Sequence, residues 1–120
     1  MEPRGLGQPV FQKFKSELAT AYMSIGATVG IEIGQGFSSS ELSGKEFHKT
    51  QQDYGGVRGG LTTGDPVTLK VAFKPTSSRE ATALKGRHDP CIVPRAIPVL
   101  EAMTWLVLAD QILLARVDRV

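Results

Sequence analysis

Two short segments concentrate the side chains able to do chemistry. Lys74-Pro75-Thr76-Ser77-Ser78 sets a cation beside consecutive hydroxyls, the mixture a phosphate monoester needs for charge and hydrogen bonds. The same composition makes a solvated turn whose hydroxyls bond local backbone, and taken alone the segment reads that way first. Gly86-Arg87-His88-Asp89-Pro90 brings together a guanidinium, an imidazole and a carboxylate before a proline that biases Asp89 toward extended backbone. Such a loop can present all three groups to one cavity; the plain alternative is an exposed turn with a weak Arg87–Asp89 pair. Gly55-Gly56-Val57-Arg58-Gly59-Gly60 lets backbone approach a ligand closely, or is simply a hairpin. It is neither a dinucleotide fingerprint nor a phosphate loop, because Gly44-Lys45 is followed by Glu46. His48 stands in polar context without a second histidine nearby and is assigned no role.

These residues need elements to hold them. Val10, Phe11, Phe14, Leu18, Ala21 and Tyr22 fall on one helical face, and Pro9 suits a first turn, so an amphipathic helix is expected to end near Gly26. The β-branched run 28–33 reads as a short buried strand closed by Gly34-Gln35-Gly36. Residues 37–60 show no sustained period and read as a long loop. Alternation over 66–73 predicts a strand with one wet or ligand-facing side, ending at Pro75. Residues 74–94 are polar and turn-rich. A long helix follows over 95–116, with Pro98 in its first turn and apolar residues on nearly every face, so it is expected to be enclosed. With no repeat and no linker, residues 1–120 read as one mixed α/β (α+β) domain.

Composition narrows the class. Of 120 residues 41% are hydrophobic and 22% charged, which fits a folded soluble domain. A balance of 14 Lys and Arg against 12 Asp and Glu gives +2, too even to imply nucleic acid or an anionic membrane as partner. Cys91 is the only cysteine, so an intrachain disulfide and a thiolate-rich metal site are excluded and a reducing, cytoplasmic setting fits. The apolar stretch 97–114 is interrupted by Glu101, Asp110 and Gln111, costly in a lipid-facing span, and reads as a buried helix. From the residues alone, the chain is an α/β domain suited to a phosphorylated ligand held by Lys74, the adjacent hydroxyls and Arg87. Reaction type stays open.

The order of several blocks adds a resemblance. Gly5-Leu6-Gly7-Gln8-Pro9-Val10-Phe11, Met23-Ser24-Ile25-Gly26-Ala27 and the run from Gly30 through Phe37 resemble the chorismate synthase family in order and spacing. So do the glycine block Gly55-Gly56-Val57-Arg58-Gly59-Gly60-Leu61, the block Phe73-Lys74-Pro75-Thr76-Ser77-Ser78, Gly86-Arg87-His88-Asp89-Pro90-Cys91, and the helix start from Pro94 through Met103. The resemblance covers nearly the whole chain and implies the C-terminal part of the family's sequence. Residues 1–4 precede the first block and read as an artificial or truncated start.

The family resemblance implies a homotetrameric cytoplasmic lyase of the shikimate pathway, serving aromatic amino acid biosynthesis. Such an enzyme uses reduced FMN for a 1,4-anti elimination of phosphate from 5-enolpyruvylshikimate 3-phosphate, giving chorismate. Carried onto matching positions, it implies FMN contacts at Gly26 and Ala27, at Gly59, along Lys74, Pro75, Thr76, Ser77 and Ser78, and at Arg87. It implies a catalytic role for Asp89 in proton handling near the flavin, which needs a tuned pKa, and no metal. The family's N-terminal part, which supplies catalytic histidines and many substrate-binding arginines, has no counterpart here. The run from Gly44 through Lys49 departs from the usual Gly-Ser-Glu-His-Asn-Asp, and 79–84 stands where a longer hairpin is common. The chain alone is therefore expected to be inactive, and to self-associate if the neighbours of its apolar helix are missing. The alternative is a non-catalytic flavin- or partner-binding domain derived from the family.

Overall fold

The computed structural model describes residues 3–49, 54–76 and 90–118. Helix α1, Phe14–Met23, forms because Phe14, Leu18 and Tyr22 recur every four residues and all three are buried. Burying side chains of this size contributes roughly 1.5–3 kcal/mol each. They form the centre of the core with Leu6 and Val57; Ile25, Ile31, Leu69, Val71, Leu100 and Met103 pack around it.

The helix starts later than its periodicity predicts. Phe11 has φ 58° and is 90% exposed, and Val10 is 60% exposed. The residues before Lys13 are held elsewhere: Gly5 N donates to Thr62 O (2.8 Å), Thr62 N to Leu6 O (3.0 Å) and Leu6 N to Thr62 Oγ1 (2.9 Å). These bonds tie residues 5 and 6 to Thr62, ahead of the predicted helix. Phe14 N is likewise taken by Gly60 O at 2.8 Å.

Strand β1, Thr28–Ile33, pairs antiparallel with a later strand, Leu69–Phe73, in the register Ile33↔Leu69, Glu32↔Lys70, Ile31↔Val71, Gly30↔Ala72 and Thr28↔Phe73, with an irregularity between Thr28 and Gly30. Ile31, Leu69 and Val71 pack on the core, while Glu32 and Lys70 pair at 3.5 Å on the other face. The expected strand 66–73 is thus confirmed only from Leu69. Between these strands the expected loop is partly ordered: a 3-10 helix over Gly36–Glu41, helix α2 over Gly44–Phe47, and a small ribbon of β2, Val57–Arg58, with β3, Leu61–Thr62. Leu69–Phe73 is β4.

Helix α3, Val93–Val117, is longer than expected, and Pro98 lies in its second turn rather than its first. Pro94 occupies the start of the helix, where a missing N–H costs nothing. The expectation of enclosure does not hold within this chain. Only Ala96 and Gln111 are buried, whereas Trp105 is 71% and Leu106 66% exposed. One face packs on α1, and Tyr22 Oη donates to Thr104 Oγ1, which in turn donates to Leu100 O at 2.7 Å. By length and composition alone α3 could also cross a membrane.

Candidate functional site

The chain leaves α1 through a tight turn. Ile25 N donates to Tyr22 O and Thr28 N to Ile25 O, and Ala27 sits at φ 71°, a left-handed conformation that costs a non-glycine residue about 1–2 kcal/mol. That strain is offset by position: Ala27 O accepts from Lys74 N at 2.8 Å, continuing the β1–β4 ladder one step past Thr28↔Phe73. Two segments far apart in sequence therefore meet at one end of the ribbon. Gly26, Ala27, Lys74, Pro75 and Thr76 share this mouth.

Its chemistry follows from what lines it. Nothing lies within 4 Å of where a Cβ on Gly26 would stand, Lys74 and Pro75 are exposed, and Thr76 is half-buried. Thr28 Oγ1, one residue from Ala27, is buried and has no hydrogen-bond partner among the described residues. A cation, a hydroxyl on the surface and an orphaned hydroxyl beneath can hold an anionic group. Ser77, Ser78, Arg87 and Asp89, also expected here, lie outside the described residues.

Gly59 is placed differently. It sits in the β2–β3 turn at φ 63°, with nothing within 4 Å of where a Cβ would stand. Gly60 O is bonded to Phe14 N at the start of α1, whereas Gly26 follows its end, so the two predicted cofactor positions are separated by roughly 15 Å of helix. The other glycines of that block serve the fold: a Cβ on Gly56 would stand 2.6 Å from Pro66 O, and one on Gly60 2.9 Å from Gln8 O. The close backbone approach expected of the block is thus largely protein against protein.

Near Gly59 lies a cluster that the sequence reasoning missed. Tyr54 Oη bonds His48 Nδ1, Phe47 packs edge-on to Tyr54 at 4.8 Å between centroids, and the Arg58 guanidinium lies 5.1 Å over the Tyr54 ring. His48, given no role, is exposed yet paired. The readable signal was Ser43-x-x-Glu46: Ser43 Oγ accepts from Glu46 N at 3.4 Å, and Glu46 Oε2 accepts from Ser43 N at 2.8 Å. This capping box starts α2 and turns Phe47 and His48 toward Tyr54. The Ser43 hydroxyl, and then its backbone N–H, hold the Glu46 carboxyl below the ordinary glutamate range.

Two clefts open among the described residues. One of about 470 Å³ is lined by Lys15, Ser16, Ile31, Glu32, Phe37 and Ser40 among others. A second of about 700 Å³ runs between α1, β4 and α3 past Tyr22, Leu69, Thr104, Trp105 and Ile112. Neither is lined by an expected site residue. Among the described residues no group of His, Cys, Asp and Glu could hold a metal ion.

Comparison with known proteins supplies what geometry leaves open. The family model described as chorismate synthase matches residues 1–113. A chorismate synthase from Bdellovibrio bacteriovorus is 61% identical over 119 residues, covering 98% of this chain and 35% of that protein. One from Synechococcus elongatus is 45% identical over 136 residues, covering 92% and 38%. That alignment is longer than this chain's 120 residues, so the cyanobacterial protein carries insertions that the Bdellovibrio alignment does not need. A crystal structure of a chorismate synthase superposes with a TM-score of 0.76 at 34% identity, over 92% of this chain and 34% of that one. The chain spans about a third of the length of the curated relatives it matches. Both the sequence and its mixed α/β fold place it plainly: the chain belongs to the chorismate synthase family.

Proposed function

We propose that this chain carries the flavin side of a chorismate synthase, in its C-terminal part. The reaction is the 1,4-anti elimination of phosphate from 5-enolpyruvylshikimate 3-phosphate, and the cofactor is reduced FMN. The observation that carries this reading is the hydrogen bond from Lys74 N to Ala27 O, which joins two segments assigned to the same cofactor. Open space at Gly26, the exposed Lys74 cation, Thr76 and the unpartnered Thr28 hydroxyl fit an anionic, flat ligand at that mouth.

Reduced FMN, when bound, supplies the electron-rich ring system on which the elimination depends. This chain's own residues bind and orient. Lys74 meets negative charge, Thr76 and Thr28 offer hydroxyl donors, and Ala27 fixes the backbone against which the ligand lies. Ser77, Ser78 and Arg87, which lie outside the described residues, are assigned to the same cofactor by the resemblance alone, and Asp89 to proton handling near it. Gly59, with Arg58 over Tyr54 beside it, lies toward the other end of α1 and serves another part of the assembled site. The substrate's phosphate needs further cations, which the family's remaining two-thirds provides. The whole enzyme is cytoplasmic, a homotetramer, and engages neither nucleic acid nor membrane.

Anaerobic titration of reduced FMN into the purified chain, read by flavin absorbance and calorimetry, tests this. Saturable binding that is lost in Lys74→Ala and Arg87→Ala is expected, without turnover of substrate by the chain alone. No binding at about millimolar flavin, a weak affinity of roughly 4 kcal/mol, overturns the flavin assignment. It favours a partner-binding domain, the reading that the exposed α3 would then carry.

A further inference from the structure

We draw no further inference here: the strongest candidate, the cleft of about 470 Å³ between α1 and β1 lined by Lys15, Glu32 and Phe37 among others, lies in a chain that spans about a third of its relatives' length, and nothing in the structure shows what covers it.

Discussion

At the scale of single residues, Lys74 and Thr76 stood out as a cation followed by a hydroxyl, a pattern that reads first as a solvated turn, and the part played by Ala27 beside them was not readable from its type. Its left-handed backbone and its bond to Lys74 depend on how β1 registers with β4, which local sequence does not encode. The glycine block was readable as special, and of its two readings the hairpin is the one seen in β2 and β3. Gly56→Ala is predicted to be more damaging than Gly59→Ala. Both positions have positive φ, which costs about 1–2 kcal/mol for a side chain, but only Gly56 would press a Cβ against Pro66 O. Urea denaturation of the two variants gives the ranking, and equal losses contradict it. Thr28 is the sharper case, since its buried hydroxyl has no partner among the described residues. Thr28→Val is expected to raise stability by about 1 kcal/mol while weakening flavin binding. A loss of stability would mean that the hydroxyl is already bonded within the fold.

Elements were legible where period and burial agreed. The Phe14, Leu18, Tyr22 spacing gave α1, but Val10 and Phe11 share its period and lie outside it, because Gly60 O takes Phe14 N, the donor that a helix begun at Val10 would send to Val10 O. Leu18→Ala, at the fully buried centre of α1, is expected to cost about 2–5 kcal/mol. Gln111 is the polar exception on the buried side of α3, 2% exposed with Oε1 unbonded among the described residues. Gln111→Met keeps its volume and is expected to stabilise the chain by about 1–2 kcal/mol, measured as a higher urea midpoint at unchanged slope. Helix α2 responds to acid instead. Glu46 is held below the ordinary glutamate range by Ser43, so its cap contributes above the unfolded value and is lost as pH falls through the folded one. Carboxyl titration by NMR should place Glu46 below a free glutamate, and Ser43→Ala should return it toward the ordinary value. No change in Ser43→Ala would contradict the capping box.

For the molecule as a whole, the sequence announced one mixed α/β unit and an enclosed last helix. The mixed α/β fold is there, and the enclosure is not found within this chain. The radius of gyration of 17.7 Å exceeds the ~14 Å of a compact chain this long, as expected when α3 and the β1–β4 ribbon lack a covering layer. A periodic pattern states which faces are apolar; it does not say which polypeptide covers them. The purified chain alone is therefore predicted to sediment as a concentration-dependent mixture of oligomers, and a monomer at high micromolar concentration would contradict that. Leu106→Asp should reduce the association, since Leu106 is 66% exposed.

The central claim is that the turn after α1 and the end of β4 form one flavin-side mouth, and backbone NMR during titration with reduced FMN reads it directly. The account predicts saturating shifts at Gly26, Ala27, Thr28, Lys74 and Thr76, with Gly59 unmoved in the isolated chain. Saturating shifts at Gly59 and Arg58 that leave Ala27 and Lys74 still would place the ligand at the other end of α1 and contradict it.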